Sequence, residues 1–341
     1  MGDNNTATPK DAVKAKGSFS LRTFILEYNV IIFFVILFIV AAVASPSFLT
    51  AKNISTLLRQ QTTYMLIALG MLMVIITGGI DLAAASTVAL ASIMMAIAAT
   101  TWGLGVFPCI LIGIIVGVLV GLFNGFLVAK MRMPAFIVTL AFSYIGEGIA
   151  FMLTKGNTIM MDSNAPDVYK ALVYPGFASK SIPGIKLPYM AIVAIIFIVI
   201  IFFVMNYTKF GRLIYAVGSN ENAVQLAGIN SKRVLFFVYL IEGILCAIAG
   251  VLLTCRTGNA SALTTSGDYS LSCIAAVVIG GASLMGGEGT VPKTIVGVFV
   301  IAIIGNIMNL VGMASYPQMV VKGAVIIFAV LLKSASSKKQ G

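Results

Sequence analysis

The chain has 341 residues, 60% of them hydrophobic and only 10% charged, against roughly one-quarter charged in soluble domains. Cations exceed acids by eleven, but they are scattered between apolar runs without an aromatic-studded patch, which excludes nucleic acid as a partner. Histidine is absent and the four cysteines (Cys109, Cys246, Cys255, Cys273) lack CxxC spacing, which argues against a metal centre or a Cys–His nucleophile. The cysteines read as small apolar packing residues, with Cys255 the nearest to water.

Residues 1–28 are polar and basic (Lys10, Lys14, Lys16, Arg22) and read as a cytoplasmic tail. The apolar run 29–44 ends in Ala42-Val43-Ala44, which has the look of a signal-peptide cleavage site. The polar leader is long for a signal peptide and more spans follow, so the run is read as a first span. At about 20 residues per span, further helices are expected near 62–80, 83–100, 106–129, 135–153, 188–205, 234–253, 270–286, 291–312 and 316–333. The expected architecture is an all-α polytopic membrane protein with about ten transmembrane helices, a single transmembrane domain over 29–333, and both termini cytoplasmic. A short basic tail, 334–341, closes the chain. On this topology fourteen cations fall inside and seven outside, with Lys322 left in a span, as the retention of Lys and Arg in the cytoplasm requires.

The longest outside segment, 154–188, carries Asp162, Asp167, Tyr169, Tyr174 and four prolines without clear periodicity. It is either a solvated connector or a docking surface for an extracytoplasmic partner. The polar loop 207–233 carries Lys209, Arg212, Lys232 and Arg233 against one acid, Glu221, and is placed in the cytoplasm. Its middle predicts a short helix. Asn220 can cap it, Glu221 suits the first turn, Ala223, Leu226 and Ala227 follow at helical spacing, and Gly228 can end it. A small amphipathic helix at a membrane surface suits docking into a groove on a soluble partner.

Two places break the apolar pattern in a related way: Gly78-Gly79-Ile80-Asp81-Leu82, leading to Ser86, and Gly280-Gly281-Ala282-Ser283-Leu284, leading to Gly289. Glycine pairs let a helix unwind or pack closely, and interrupted segments in two halves of a membrane protein point toward a solute path. Asp81 reads either as an N-cap for the third span or as a carboxylate facing a cavity. Glu147, Glu242 and Lys322 are further charges within spans, and Lys322 either pairs with an acid across the bundle or snorkels to an interface. Asn124, Asn306, Asn309 and Gln318 suit a polar uncharged solute, or glue helices together. The motif GxxxxGK[ST] is absent, so the chain is not expected to hydrolyse ATP by itself.

At these residues the chain resembles, over nearly its whole length, the ribose-type permease subunits of bacterial ABC sugar importers. The resemblance rests on SPSFLTAKNISTLLRQ, LGMLMVIITGGIDL, TKFGRLIYAVGSNENAVQLAGINSKRV, AGVLLTCR, IAAVVIGGASLMGGEGT and NLVGMASYPQMVVKGAVIIFAVLL. It implies a multi-pass protein of the bacterial inner (cytoplasmic) membrane in which two permease chains, identical or related, form a dimer. It further implies that ATP-binding subunits, carrying ATP and magnesium, dock on Asn220, Glu221, Ala223, Val224, Leu226, Ala227, Gly228 and Ile229. The resemblance also implies that a soluble extracytoplasmic sugar-binding protein delivers the solute, and that the permease has no cofactor and is not an enzyme. Two departures stand out: Ala84-Ala85 follow GGIDL-Ala83 where relatives commonly have glycine, and the loop matches the Glu-Ala-Ala…Gly pattern of other ABC permeases only loosely. The implied solute is a monosaccharide, a ribose-like pentose or a hexose. Alternatives are a furanose-like signalling molecule, a nucleoside, or a self-contained secondary transporter, against which the scarcity of buried carboxylates and the absence of histidine argue.

Overall fold

The computed structural model describes residues 29–266, 268–314, 316–325 and 327. The expected tails 1–28 and 334–341, and the second half of the span expected at 316–333, lie outside the described residues. Among the described residues these α-helices follow in order: α1 (Asn29–Ala44), α2 (Ala51–Ile76), α3 (Ala84–Thr100), α4 (Val106–Gly125), α5 (Ala135–Thr154), α6 (Pro166–Leu172), α7 (Tyr189–Tyr207), α8 (Lys209–Leu226), α9 (Ser231–Thr257), α10 (Tyr269–Ile279) and α11 (Val291–Leu310), and residues 316–325 are helical as well. A π-helical turn, Phe126–Lys130, prolongs α4, and a two-residue ribbon pairs β1 (Ile159–Met160) antiparallel with β2 (Asn259–Ala260). Among the described residues, seven stretches are long and apolar enough to cross a membrane, and α1 and α3 are shorter apolar helices. The chain is a multi-pass membrane protein.

Three expected boundaries move for physical reasons. The second span, expected from residue 62, begins at Ala51, because Thr50 accepts from the Asn53 amide at 3.3 Å and caps three polar turns that hydropathy alone reads as a loop. The span expected at 234–253 runs Ser231–Thr257, which carries Cys255 inside a buried helix, 2% exposed, and not toward water. The span expected at 270–286 is the short α10, which stops at Gly280.

The core is built on α2 and α9, whose apolar windows are 78% and 67% buried, against 28% for α4, α5 and α7. The outer helices leave Leu119, Ile137 and Phe203 exposed, as a lipid-facing surface does. Lipid supplies no hydrophobic drive between helices, so close backbone packing has to hold them together. The α4 glycines Gly113, Gly117, Gly121 and Gly125 recur every fourth residue and form one face against α9. A Cβ at Gly117 would strike the Gly243 carbonyl, and one at Gly121 or Gly125 would lie 2.8 or 2.9 Å from the Tyr239 or Phe236 carbonyl.

The segment 154–188, expected outside, is folded in part onto the helix ends. Met161, Val168 and Leu172 are buried, Ile159 pairs with Ala260, and Arg59 Nη2 donates to the Ser179 carbonyl at 2.7 Å. The packing is partial: Lys155, Asp162, Tyr174 and Ile185 stay exposed.

Candidate functional site

The polar loop contains two helical segments, not one. Thr208 caps the first, accepting from Gly211 N–H at 3.1 Å. At Asn220 the backbone turns extended (φ −160°, ψ 95°), and the Asn220 side chain caps the second segment by accepting from Ala223 N–H at 2.9 Å. Gly228, at φ 77°, ends it: its N–H donates to the Gln225 carbonyl, and Ile229 N–H to the Val224 carbonyl. Val224 is buried and anchors the segment, whereas Leu226 is 89% exposed.

Glu221 does more than complement the helix dipole. It forms an ion pair with Arg132, from the turn between α4 and α5, and accepts from Ser231 Oγ at 2.7 Å and Gln225 Nε2 at 3.1 Å. Partial burial would raise this carboxyl, but the bonds from Arg132 and Ser231 and the Arg132 charge outweigh it and hold Glu221 below the ordinary glutamate range. The sequence hides this pair because its partners are 89 positions apart.

The second glycine break meets the bend of α8. Gly287 N–H donates to the Ile76 carbonyl at 2.8 Å, and Tyr215 Oη donates to the Gly289 carbonyl at 2.8 Å. A Cβ at Gly218 would collide with the Ile76 carbonyl, so only glycine lets α8 lie this close to the end of α2. A Cβ at Gly78 would sit 3.8 Å from the Met285 carbonyl, which brings the two breaks together. Gly280 and Gly281 terminate α10 beside Lys293 at the start of α11.

Between α2 and α3 the chain runs non-helically, and side chains meet its backbone groups. Thr139 Oγ1 donates to the Ile80 carbonyl at 3.1 Å, Ser270 Oγ donates to the Leu82 carbonyl at 3.1 Å, and Ala85 N–H donates to Ser270 Oγ at 3.0 Å. Irregular backbone at membrane depth survives only where protein satisfies it in this way. Asp81 is 4% exposed and accepts from Ala83 N–H at 2.6 Å. The residue at the cap of α3 is Ala83, so Asp81 is not its N-cap as the sequence allowed; it fixes the turn that leads into the helix. Ser86 bonds back to the Ala83 carbonyl at 2.9 Å and is buried against Gly146.

A polar cavity of ≈ 250 Å³ lies between α2, α10, α11 and the residues following α11. Asn306, Asn309 and Gln318 line it, together with Gln60, Gln61, Tyr64, Arg256, Tyr269 and Lys322, which sequence reasoning did not single out as a group. Asn306 and Asn53 exchange two amide bonds of 2.9 Å, Gln318 donates to Asn309 Oδ1 at 2.9 Å, and Lys322 reaches Asp268 at 2.8 Å. Lys322 therefore pairs across the bundle. Gly78, Gly79, Asp81, Ser86, Asn124, Gly280 and Gly281 do not line this cavity. Asn124 is buried, 2% exposed, one position before Gly125 of the α4–α9 seam, and its Oδ1 has no partner among the described residues.

Residues 53–330 match the family model described as branched-chain amino acid transport system / permease component. The chain is 40% identical to the ribose import permease protein of Bacillus subtilis (strain 168), over 89% of this chain and 91% of that protein. It is 32% identical to the L-arabinose transport system permease protein of Escherichia coli (strain K12), over 95% of both. It is 30% identical to the xylose transport system permease protein of Haemophilus influenzae, over 86% of this chain and 92% of that protein. No solved structure matches the chain.

Proposed function

The chain belongs to the family of branched-chain amino acid transport system permease components, and from that premise we propose that it moves a monosaccharide, a ribose-like pentose first, across the bacterial inner membrane. In this reading it is the membrane-spanning subunit of an ATP-driven importer, with about ten spans and both termini cytoplasmic. It works as a dimer of permease chains, loaded from outside by a soluble sugar-binding protein. ATP and magnesium belong to separate subunits that dock on Asn220 to Ile229.

The observation that carries the coupling is the second segment of α8: it is capped at both ends, clamped by Glu221 to Arg132, and yet presents Leu226 outward. A rigid stub with an exposed apolar tip transmits force; a flexible loop would absorb it. The bend behind it touches Ile76 and the 283–289 loop, which stand at the end of α2 and between α10 and α11. Those three helices also wall the polar cavity. Movement of the docked ATPases then tilts helices that line the solute path, with Gly78, Gly79, Gly280 and Gly281 as flexing points and Asp81 and Ser86 shaping the non-helical segment. Asn306, Asn309 and Gln318 face the path, and we assign Asn124 to packing in the α4–α9 seam.

The test is reconstitution in proteoliposomes with the cognate ATP-binding subunit and binding protein. ATP-dependent uptake of D-ribose, L-arabinose or D-xylose supports the reading. Uptake without the ATP-binding subunit would make the chain a secondary transporter, and ATP-dependent uptake of a nucleoside or of leucine alone would keep the importer and overturn the sugar.

A further inference from the structure

We propose that the cavity walled by α2, α10 and α11 is a binding subsite for one neutral polyhydroxylated molecule of pentose size, recognised by Gln60, Gln61 and Arg256; this rests on the importer reading above. Three observations converge on it. Buried polar atoms in folded proteins nearly always have partners, yet Arg256 Nε is buried on the cavity wall with none among the described residues. The side-chain amides of Gln60 and Gln61 are part-exposed at the cavity and form no hydrogen bond among the described residues, which leaves them open to a solute, whereas the other amides lining the cavity, on Asn306, Asn309 and Gln318, are all engaged.

The kind of ligand follows from the donors. A glutamine amide offers two donors and two acceptor lone pairs, which matches vicinal hydroxyls, since each hydroxyl both donates and accepts. Lys322 is paired with Asp268, and Arg256, which has no ion pair among the described residues, remains as a donor that hydroxyl oxygens can accept from. Tyr64 and Tyr269 stack at 4.9 Å with planes 29° apart and give the cavity an aromatic wall against which the C–H face of a sugar ring can lie. The volume of ≈ 250 Å³ admits one small solute of pentose size. The short α10, discontinuous with the helix that follows it, places its first turn here, the arrangement that membrane transporters use to build solute sites.

The experiment uses the complete importer in proteoliposomes, with D-ribose, L-arabinose and D-xylose as probes. Gln61→Leu keeps volume and removes the amide, Gln60→Leu does the same one position earlier, and Gln61→Asn is the conservative variant. Each leucine variant is expected to lower maximal sugar flux about tenfold, the worth of one lost hydrogen-bond pairing at a polar site. The half-saturating sugar concentration, set by the binding protein, and the ATP hydrolysis that the binding protein stimulates should stay at parent values. Gln61→Asn should recover part of the flux. In parallel, saturation-transfer NMR on the permease alone in nanodiscs should show D-ribose contacts that the leucine variants lose. Parent flux in both leucine variants overturns the subsite, and so does loss of flux together with loss of stimulated ATP hydrolysis, because the amides would then serve the fold. If the unaltered importer moves none of the three sugars, it is the sugar reading that fails, visible before any variant is made, and this inference fails with it.

Discussion

The amide N–H of Gly287 donates to the carbonyl oxygen of Ile76 at 2.8 Å, so the loop after α10 is tied to the last turn of α2. Gly218, at the bend of α8, presses on the same carbonyl. One peptide oxygen thus joins a helix of the core, the second glycine break and the segment proposed to receive the ATPase.

Gly218→Val tests that junction. A side chain there must push α8 off Ile76, and over-packing of this kind costs about 1–3 kcal/mol. The expected outcome is a protein that inserts and still binds its ATP-binding subunit, while ATP-dependent uptake is lost. Uptake at the parent rate would show that the contact is not part of the coupling.

Glu221→Lys removes the carboxylate that pairs with Arg132 and sets a second cation against that guanidinium. The variant should release the ATP-binding subunit from detergent-solubilised complexes. Gly228→Pro should act similarly, because proline cannot adopt the positive φ of Gly228 (φ 77°) and has no N–H to donate to the Gln225 carbonyl. Co-purification yield against a membrane-inserted control reads both variants.

The same pair sets a pH dependence. Because the Glu221 carboxyl is held low in the folded protein, its contribution is fully present above its unfolded value and is lost as pH falls through the folded one. Co-purification should therefore be flat from neutrality down to about pH 4.3, the ordinary glutamate value, and weaken only below it, more steeply in the parent than in Glu221→Gln. A loss centred near neutrality would point to another group.

Gly117→Leu and Gly121→Leu should separate α4 from α9, since each side chain meets backbone that cannot yield. Their expected signature is a lower yield of folded protein and a lower melting temperature. Gly148→Leu, where an added Cβ meets nothing within 4 Å, should leave both unchanged.

Asn53 and Asn306 should couple by about 0.6 kcal/mol in a double-mutant cycle, the usual size for interhelical side-chain bonds in membranes. The cycle needs Asn53→Ala, Asn306→Ala and the double variant, read by thermal unfolding. Additive effects would mean that the amide pair does not hold α2 to α11.

Much of this was legible in the sequence. The apolar runs located the helices, though α2 begins at Ala51 where 62 was expected and α10 ends at Ile279 where 286 was expected; the cation bias marked the α8 region, and Gly78-Gly79 and Gly280-Gly281 announced the two breaks. The misses share a cause. Hydropathy reads the polar first turns of α2 as loop because it does not weigh Thr50 as a cap, and it joins α10 to the glycine loop because both are apolar. The pair of Glu221 with Arg132 and the set Gln60, Gln61 and Arg256 are assembled by residues far apart in the chain, which local pattern cannot see. The α4 glycines were the exception, since a fourfold spacing over 113–125 is visible in the sequence alone.

The central claim, that a separate ATPase grips the second segment of α8, is tested most directly by site-specific cross-linking. The native cysteines Cys109, Cys246, Cys255 and Cys273 are all buried, so Leu226→Cys adds an accessible thiol at an exposed position. A thiol-reactive cross-linker should join position 226 to the cognate ATP-binding subunit, with a yield that changes when ATP is added, while Ile185→Cys, on the opposite side in this topology, should give no such product. Equal cross-linking from both positions, or none from position 226 in a complex that transports, would contradict the account.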